Sequence, residues 1–249
     1  MRFMLKRLFL FLFILALSAC APAPETDNLG GVQRHLTEGE SYFERGLYDE
    51  AIASWEKVRD SYYSPELNIL AEIKIADAYF EAERYVEAAV AYEDFLKQHP
   101  DHPRSPDVLY QLGLTYYRQI LSVDRDQTAT RNAMATFEIL LEKYPEDPRR
   151  EEVSALIQRC RDHLAAHELY VGRFYLRTGH PQAAAQRLEY LFETYPNFFD
   201  RDEAYFYLGR AYLETGNRDK AVDAFNTLMK EFPKSEYIPK AQKIVAKSF

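Results

Sequence analysis

Two cysteines in 249 residues leave little room for a disulfide framework. One of them, Cys20, closes an N-terminal targeting pattern. That leaves Cys160 without an internal partner, and its place inside an apolar helical pattern marks it as a small buried hydrophobe. Glycine is scarce, at 9 residues, and no Gly-rich phosphate loop or G-x-S-x-G elbow occurs. Alternating apolar and polar residues never run long enough to define a strand. Basic charge is also short: 31 Lys and Arg face 39 Asp and Glu. Without the N-terminal segment, which carries Arg2, Lys6 and Arg7 and no acid, 28 cations face 39 acids, a net of −11. That balance argues against nucleic acid as a partner. The longest apolar run, Leu8 to Leu17, has ten residues, too few to span a bilayer comfortably.

What is abundant is apolar and aromatic surface. The chain is 47% hydrophobic and 14% aromatic, with 19 Tyr and 16 Phe. Such a chain can bury a substantial core. The basic residues at 2, 6 and 7, the short apolar run and Leu17-Ser18-Ala19-Cys20 together form a lipobox pattern. Residues 1–19 read as a lipoprotein signal peptide, with Cys20 as the lipidated residue. Acyl chains there would anchor the protein without a transmembrane helix. Ala21 after the cysteine, rather than Asp, fits the sorting pattern for the outer membrane, periplasmic face. Residues 20–31, containing APAPETDNLGG, read as a lipidated flexible linker.

From residue 32 onward the sequence repeats. In Arg161 to Pro196 the residues Gly172, Tyr175, Gly179, Ala184, Leu188, Leu191 and Pro196 take the key offsets of a tetratricopeptide repeat. Gly39, Ala76 and Gly113 follow one another at 37 residues, as do Ala51 and Ala88, and Gly172 and Gly209. Ala133 lies 45 residues after Ala88, so eight extra residues enter repeat three around LSVDRDQTAT. The expected fold is all-α: a solenoid of five helix–turn–helix repeats over 32–249 plus a C-terminal capping helix from about Ser235. Each repeat ends in a Pro-containing turn such as QHPDHP or KYPEDP. Arg149 to Arg177 has no breaker and predicts one long helix that braces two repeats.

The candidate chemistry is that of binding. His163 and His167 stand four apart on the long helix with Glu168 beside them. HLAAHE lacks the HExxH order and a third ligand, so a structural or solvated pair is expected rather than a metal site. No catalytic residue, metal or cofactor is assigned. The residue after each repeat's tyrosine is Phe43, Phe80 and Tyr117 in repeats one to three. These predict an aromatic column on the inner face, flanked by Glu40, Glu44, Asp77 and Glu81, suited to an extended peptide with aromatic side chains. Packing between neighbouring helices is the other reading of the same stripe. Repeats four and five carry Leu176 and Leu213 there, with Arg173 and Arg210 nearby.

The lipobox with its short linker and five repeats, FLKQHPDHPRSPDVLYQLGLTYY, the VDRDQT insertion and LAAHELYVGRFYLRTGHPQAAAQRLEYLFETYP resemble the BamD family. These are the tetratricopeptide-repeat lipoproteins of the outer-membrane β-barrel assembly (BAM) machinery. The resemblance implies that the C-terminal half, about 146–249, binds the POTRA region of BamA. It implies that the N-terminal half, about 32–145, faces unfolded outer-membrane β-barrel proteins, and that other BAM lipoproteins join the complex. Arg187 matches the family's arginine that meets an acidic BamA residue, and Tyr62 matches a position linked to substrate. Asp49 departs from members that carry Arg, and the insertion is shorter than in some. The alternative is a periplasmic repeat lipoprotein of another system, such as a Tol–Pal-associated factor. Those usually carry a coiled-coil segment or fewer repeats, and no heptad stretch precedes repeat one here.

Overall fold

A computed structural model describes residues 29–61 and 64–248. Among them are eleven helices and no strand. They are α1 (Leu29–Glu44), α2 (Tyr48–Arg59), α3 (Pro65–Glu81), α4 (Tyr85–Gln98), α5 (Ser105–Arg118), α6 (Thr128–Lys143), α7 (Arg150–Arg177), α8 (Pro181–Thr194), α9 (Arg201–Glu214), α10 (Arg218–Glu231) and α11 (Ile238–Ser248). The described residues fall in two compact units that divide in sequence between Ala82 and Glu83, inside repeat two.

The first unit contains α1–α3. Its core joins Val32, Ala51, Trp55, Val58, Ala71 and Ile75. Trp55 is buried and crosses so close to α1 that a Cβ on Gly39 would lie 2.2 Å from its indole. This is the small-against-large pairing on which the repeat depends. α1 starts at Leu29, so Leu29, Gly30 and Gly31, read from sequence as the end of the linker, are helical. Ser64 opens α3, accepting from the Leu67 amide, with Pro65 at the first helical position.

The second unit contains α4–α11 and two buried clusters. Phe137 and Leu140 of α6 pack with Leu109 of α5 and with Val153, Leu156, Ile157 and Cys160 of α7. Farther along α7, Ala165, Leu169 and Leu176 join Leu188 and Leu191 of α8 and Phe206, Phe225 and Leu228 beyond. The 28-residue α7 therefore belongs to both cores, as its unbroken sequence predicts. It begins one residue later than expected. Arg149 sits outside the helix, with its guanidinium on Asp147 (2.6 Å) and Asp107 (3.1 Å) and 4.7 Å from the Tyr110 ring.

Helix ends follow the repeat. Gly179 and Gly216 close α7 and α9 with φ of 78° and 81°, the left-handed conformation that glycine adopts freely. α11 covers the last repeat through buried Ala241 and half-buried Ile238, Ile244 and Val245. This is the expected all-α repeat array with its terminal helix. No described helix is long and apolar enough to cross a membrane.

Candidate partner-binding surface

The arginines singled out by sequence separate into two groups, both in the second unit. Arg187 stands on α8, whose position is fixed by buried Ala184, Leu188 and Leu191 against α7. Its Nη1 donates to Glu168 Oε2 at 3.2 Å. The Glu168 side chain is 11% exposed and that of Arg187 46%, so a buried carboxylate holds a guanidinium that reaches solvent. Glu189 and Glu193, on the same helix, are the nearest acidic residues in sequence. The actual partner comes from the neighbouring helix, and Glu189 instead accepts from Tyr212 Oη and Lys220.

Arg173 and Arg210 are brought together by a residue the sequence analysis missed. Both guanidiniums lie over the ring of Tyr207, at 5.2 and 5.7 Å from its centroid. Arg173 also pairs with Glu203 at 2.9 Å and Arg210 with Glu214 at 3.3 Å. Cation–π contact suits guanidinium particularly well, because its plane can stack on the ring. Burial and the adjoining Glu203 carboxylate push the Tyr237 phenol well above its ordinary range. Lys240 sits 4.4 Å from the Tyr237 ring. The missing signal was available: Tyr207 stands three residues before Arg210 on the same helix face.

The aromatic column divides between the two units. Phe43 and Phe80 are half-buried in the first, and Tyr117 is half-buried in the second. Phe43 packs 5.7 Å from Trp55 and 5.5 Å from Tyr48, and Tyr117 packs against the repeat-three core. Cys20 and Tyr62 lie outside the described residues.

The histidine pair has a definite structural role. His163 Nε2 meets the Leu121 carbonyl oxygen at 2.8 Å, and His167 Nδ1 meets that of Val123 at 2.6 Å. Both therefore fasten the repeat-three insertion to α7. From inside the insertion, buried Gln127 donates to the carbonyls of Ser122 and Arg125 and accepts from Thr130. No group of three or more metal-ligating side chains occurs among the described residues. Cys160 is fully buried, and burial with nearby Glu138 pushes its thiol up to about 12. It has none of the thiolate character a reactive cysteine needs.

A protein from Rickettsia prowazekii named outer membrane protein assembly factor BamD is 27% identical over 219 residues, 88% of this chain and 87% of its own. The BamD of Neisseria meningitidis serogroup A is 26% identical over 220 residues, 84% of this chain and 82% of its own. That of Caulobacter vibrioides is 27% identical over 70% of this chain, and the match spans only 57% of that relative's length. Among solved structures, the TPR2AB domain of yeast Sti1 is 14% identical with a TM-score of 0.44, covering 87% of this chain and 86% of that one. The family model described as outer membrane lipoprotein, YfiO, matches residues 32–224, from Val32 in α1 to Ala224 in α10. That match spans well over half of the chain, so the chain belongs to the YfiO family of outer membrane lipoproteins.

Proposed function

We propose that the protein is a non-enzymatic scaffold of the β-barrel assembly machinery, lipid-anchored through Cys20 at the periplasmic face of the outer membrane. In this reading it binds the POTRA region of BamA and receives unfolded outer-membrane proteins for insertion. Residues of about 146–249 engage BamA, with Arg187, Arg173 and Arg210 as contacts. Residues of about 32–145 face the substrate, with Phe43, Tyr62, Phe80 and Tyr117 as its aromatic contacts. Other BAM lipoproteins share the complex.

The observation that carries the reading is Arg187. Glu168 takes only its Nη1, and among the described residues no other carboxylate meets this guanidinium. A guanidinium so placed can still offer its planar two-pronged edge to a partner carboxylate. Truncating a buried interfacial charge pair typically costs about 2–5 kcal/mol. Purified POTRA region of BamA should bind the wild-type chain and lose most of that affinity with Arg187→Ala. Unchanged affinity would remove Arg187 from the interface, and no binding to the wild type would remove BamA as partner. Replacement of Cys20 by Ser should abolish palmitate labelling and release the protein from the membrane.

A further inference from the structure

The terminal helix α11 has two faces of different chemistry. On one, Ala241 is fully buried and Ile238, Ile244 and Val245 are half-buried against the last repeat. On the other, Lys240, Lys243 and Lys247 stand exposed at spacings of three and four, and the helix contains no acid. Lys230 near the end of α10 and Lys234 in the turn that follows are exposed as well.

This end of the chain opposes the rest in charge. Residues 218–249 carry seven Lys and Arg against four Asp and Glu, a net of +3, whereas residues 1–217 carry 24 against 35, a net of −11. Two of the four acids are engaged, Glu236 by Lys240 at 2.8 Å and Glu231 by Arg201 at 3.0 Å. Asp219 and Asp223 are exposed on α10 and are already subtracted in the +3. On α9, Glu203 is paired with Arg173, and Asp202 accepts from the Ser235 hydroxyl. Among the described residues no carboxylate meets Lys230, Lys234, Lys243 or Lys247.

What the face lacks selects its partner. Among the described residues from 200 onward, no large apolar side chain is exposed. Protein interfaces gather apolar and aromatic residues at their centre and are depleted in lysine. Lysine is a compact, mobile point charge. Several together, without an apolar anchor, suit a diffuse anionic sheet better than a shaped protein surface. A member of an outer membrane lipoprotein family is held beside such a sheet, so a weak attraction acts at high effective concentration.

We propose that the lysine face of α11, with Lys230 and Lys234, rests on anionic lipid headgroups and holds the second unit against the bilayer. The contact is separate from the Arg187–Glu168 pair and does not depend on BamA.

The test uses the full lipidated chain reconstituted into vesicles of phosphatidylcholine alone or with phosphatidylglycerol. A fluorophore is placed at exposed Ala246→Cys, the buried Cys160 staying unlabelled, and energy transfer to a headgroup-labelled lipid is read. Transfer should rise with phosphatidylglycerol and fall at high salt. Each lysine removed, in Lys243→Gln and Lys247→Gln, should lower the ratio of bilayer-held to released helix about fivefold. Lys243→Arg with Lys247→Arg should keep the contact, and circular dichroism confirms that each variant stays helical. Transfer indifferent to phosphatidylglycerol, or unchanged in the double glutamine variant, would overturn the proposal. So would a double glutamine variant that loses POTRA binding while its transfer matches wild type, because the face would then belong to a protein interface.

Discussion

Arg187 and Glu168 stand 19 residues apart and meet across the α7–α8 pair, a half-exposed cation on a buried anion. Removing the arginine strands a carboxylate that has little water around it. We therefore expect Arg187→Ala to lose about 1 kcal/mol of stability, a charged hydrogen bond discounted for the arginine's exposure. Adding Glu168→Gln in the same chain should recover much of it. Urea unfolding of the single and double variants measures both. The double variant is also the cleaner reagent for the BamA experiment, since it separates lost contact from lost fold.

Gly209 shows how narrowly the helices pass. A Cβ there would lie 2.5 Å from the ring of fully buried Phe225. Gly209→Ala should cost about 1–3 kcal/mol through forced repacking. Pairing it with Phe225→Leu should relieve part of the loss. Thermal unfolding of the single and double variants checks this.

Glu83 is the one described non-glycine residue with positive φ, at 58°. It stands 37 residues after Gly46, at the same turn of the repeat. A left-handed conformation costs a residue with a Cβ about 1 kcal/mol relative to glycine. Glu83→Gly should therefore stabilise the chain by about that amount, seen as a higher urea midpoint with unchanged slope.

Alkali should unfold this protein readily. Burial, together with the Glu152 carboxylate, pushes the Tyr110 phenol up to about 12, and burial does the same for Tyr195. Tyr116 and Tyr212, which donate to Glu93 and Glu189, are raised further. Cys160 is also raised, to about 12. Each group holds its proton more tightly when folded. Their contribution is complete below the unfolded values, about 8.5 for cysteine and 10 for tyrosine. It disappears as pH rises through the folded values. Stability should be flat from pH 7 to about 8.5 and then fall steeply towards pH 12. Tyr212→Phe should make that fall shallower.

The insertion depends on α7 for its order. His167→Ala should free the Val123 carbonyl and speed amide exchange across 119–127, while the buried amides of α6 keep their protection. Equal exchange in both proteins would show that His163 and Gln127 suffice without His167.

The repeat was readable because its pairings are local and periodic. A glycine and the large side chain that covers it, such as Gly209 and Phe225, are 16 residues apart in sequence. The long α7 was equally plain, since nothing in it stops a helix. What escaped depends on groups far apart in the chain. The histidines reach carbonyls 42 and 44 residues away, and carbonyls leave no mark in a sequence. Glu168 was visible only as a neighbour of His167. Its pairing with Arg187 needs the antiparallel register of α7 and α8, which no spacing within one helix supplies. Arg149 caps the helix instead of joining it, and its guanidinium there meets Asp147 and Asp107, the latter 42 residues away in sequence.

A helix that belongs to two cores changes how an array can come apart. In an ordinary solenoid each repeat adds its own stability plus a term for each neighbour, and the ends can fray one unit at a time. Here the step from repeat three to repeat four is a continuous backbone through both clusters. Losing one side removes half the packing of a helix that the other side still needs. Fraying from the C-terminus should therefore pass α11, α10 and α9 in stages and then stop at α7, whose loss takes repeats three and four together. A pulling experiment would record that as one large event among small ones. Any truncation meant to isolate either half would have to leave all of α7 on one side of the cut.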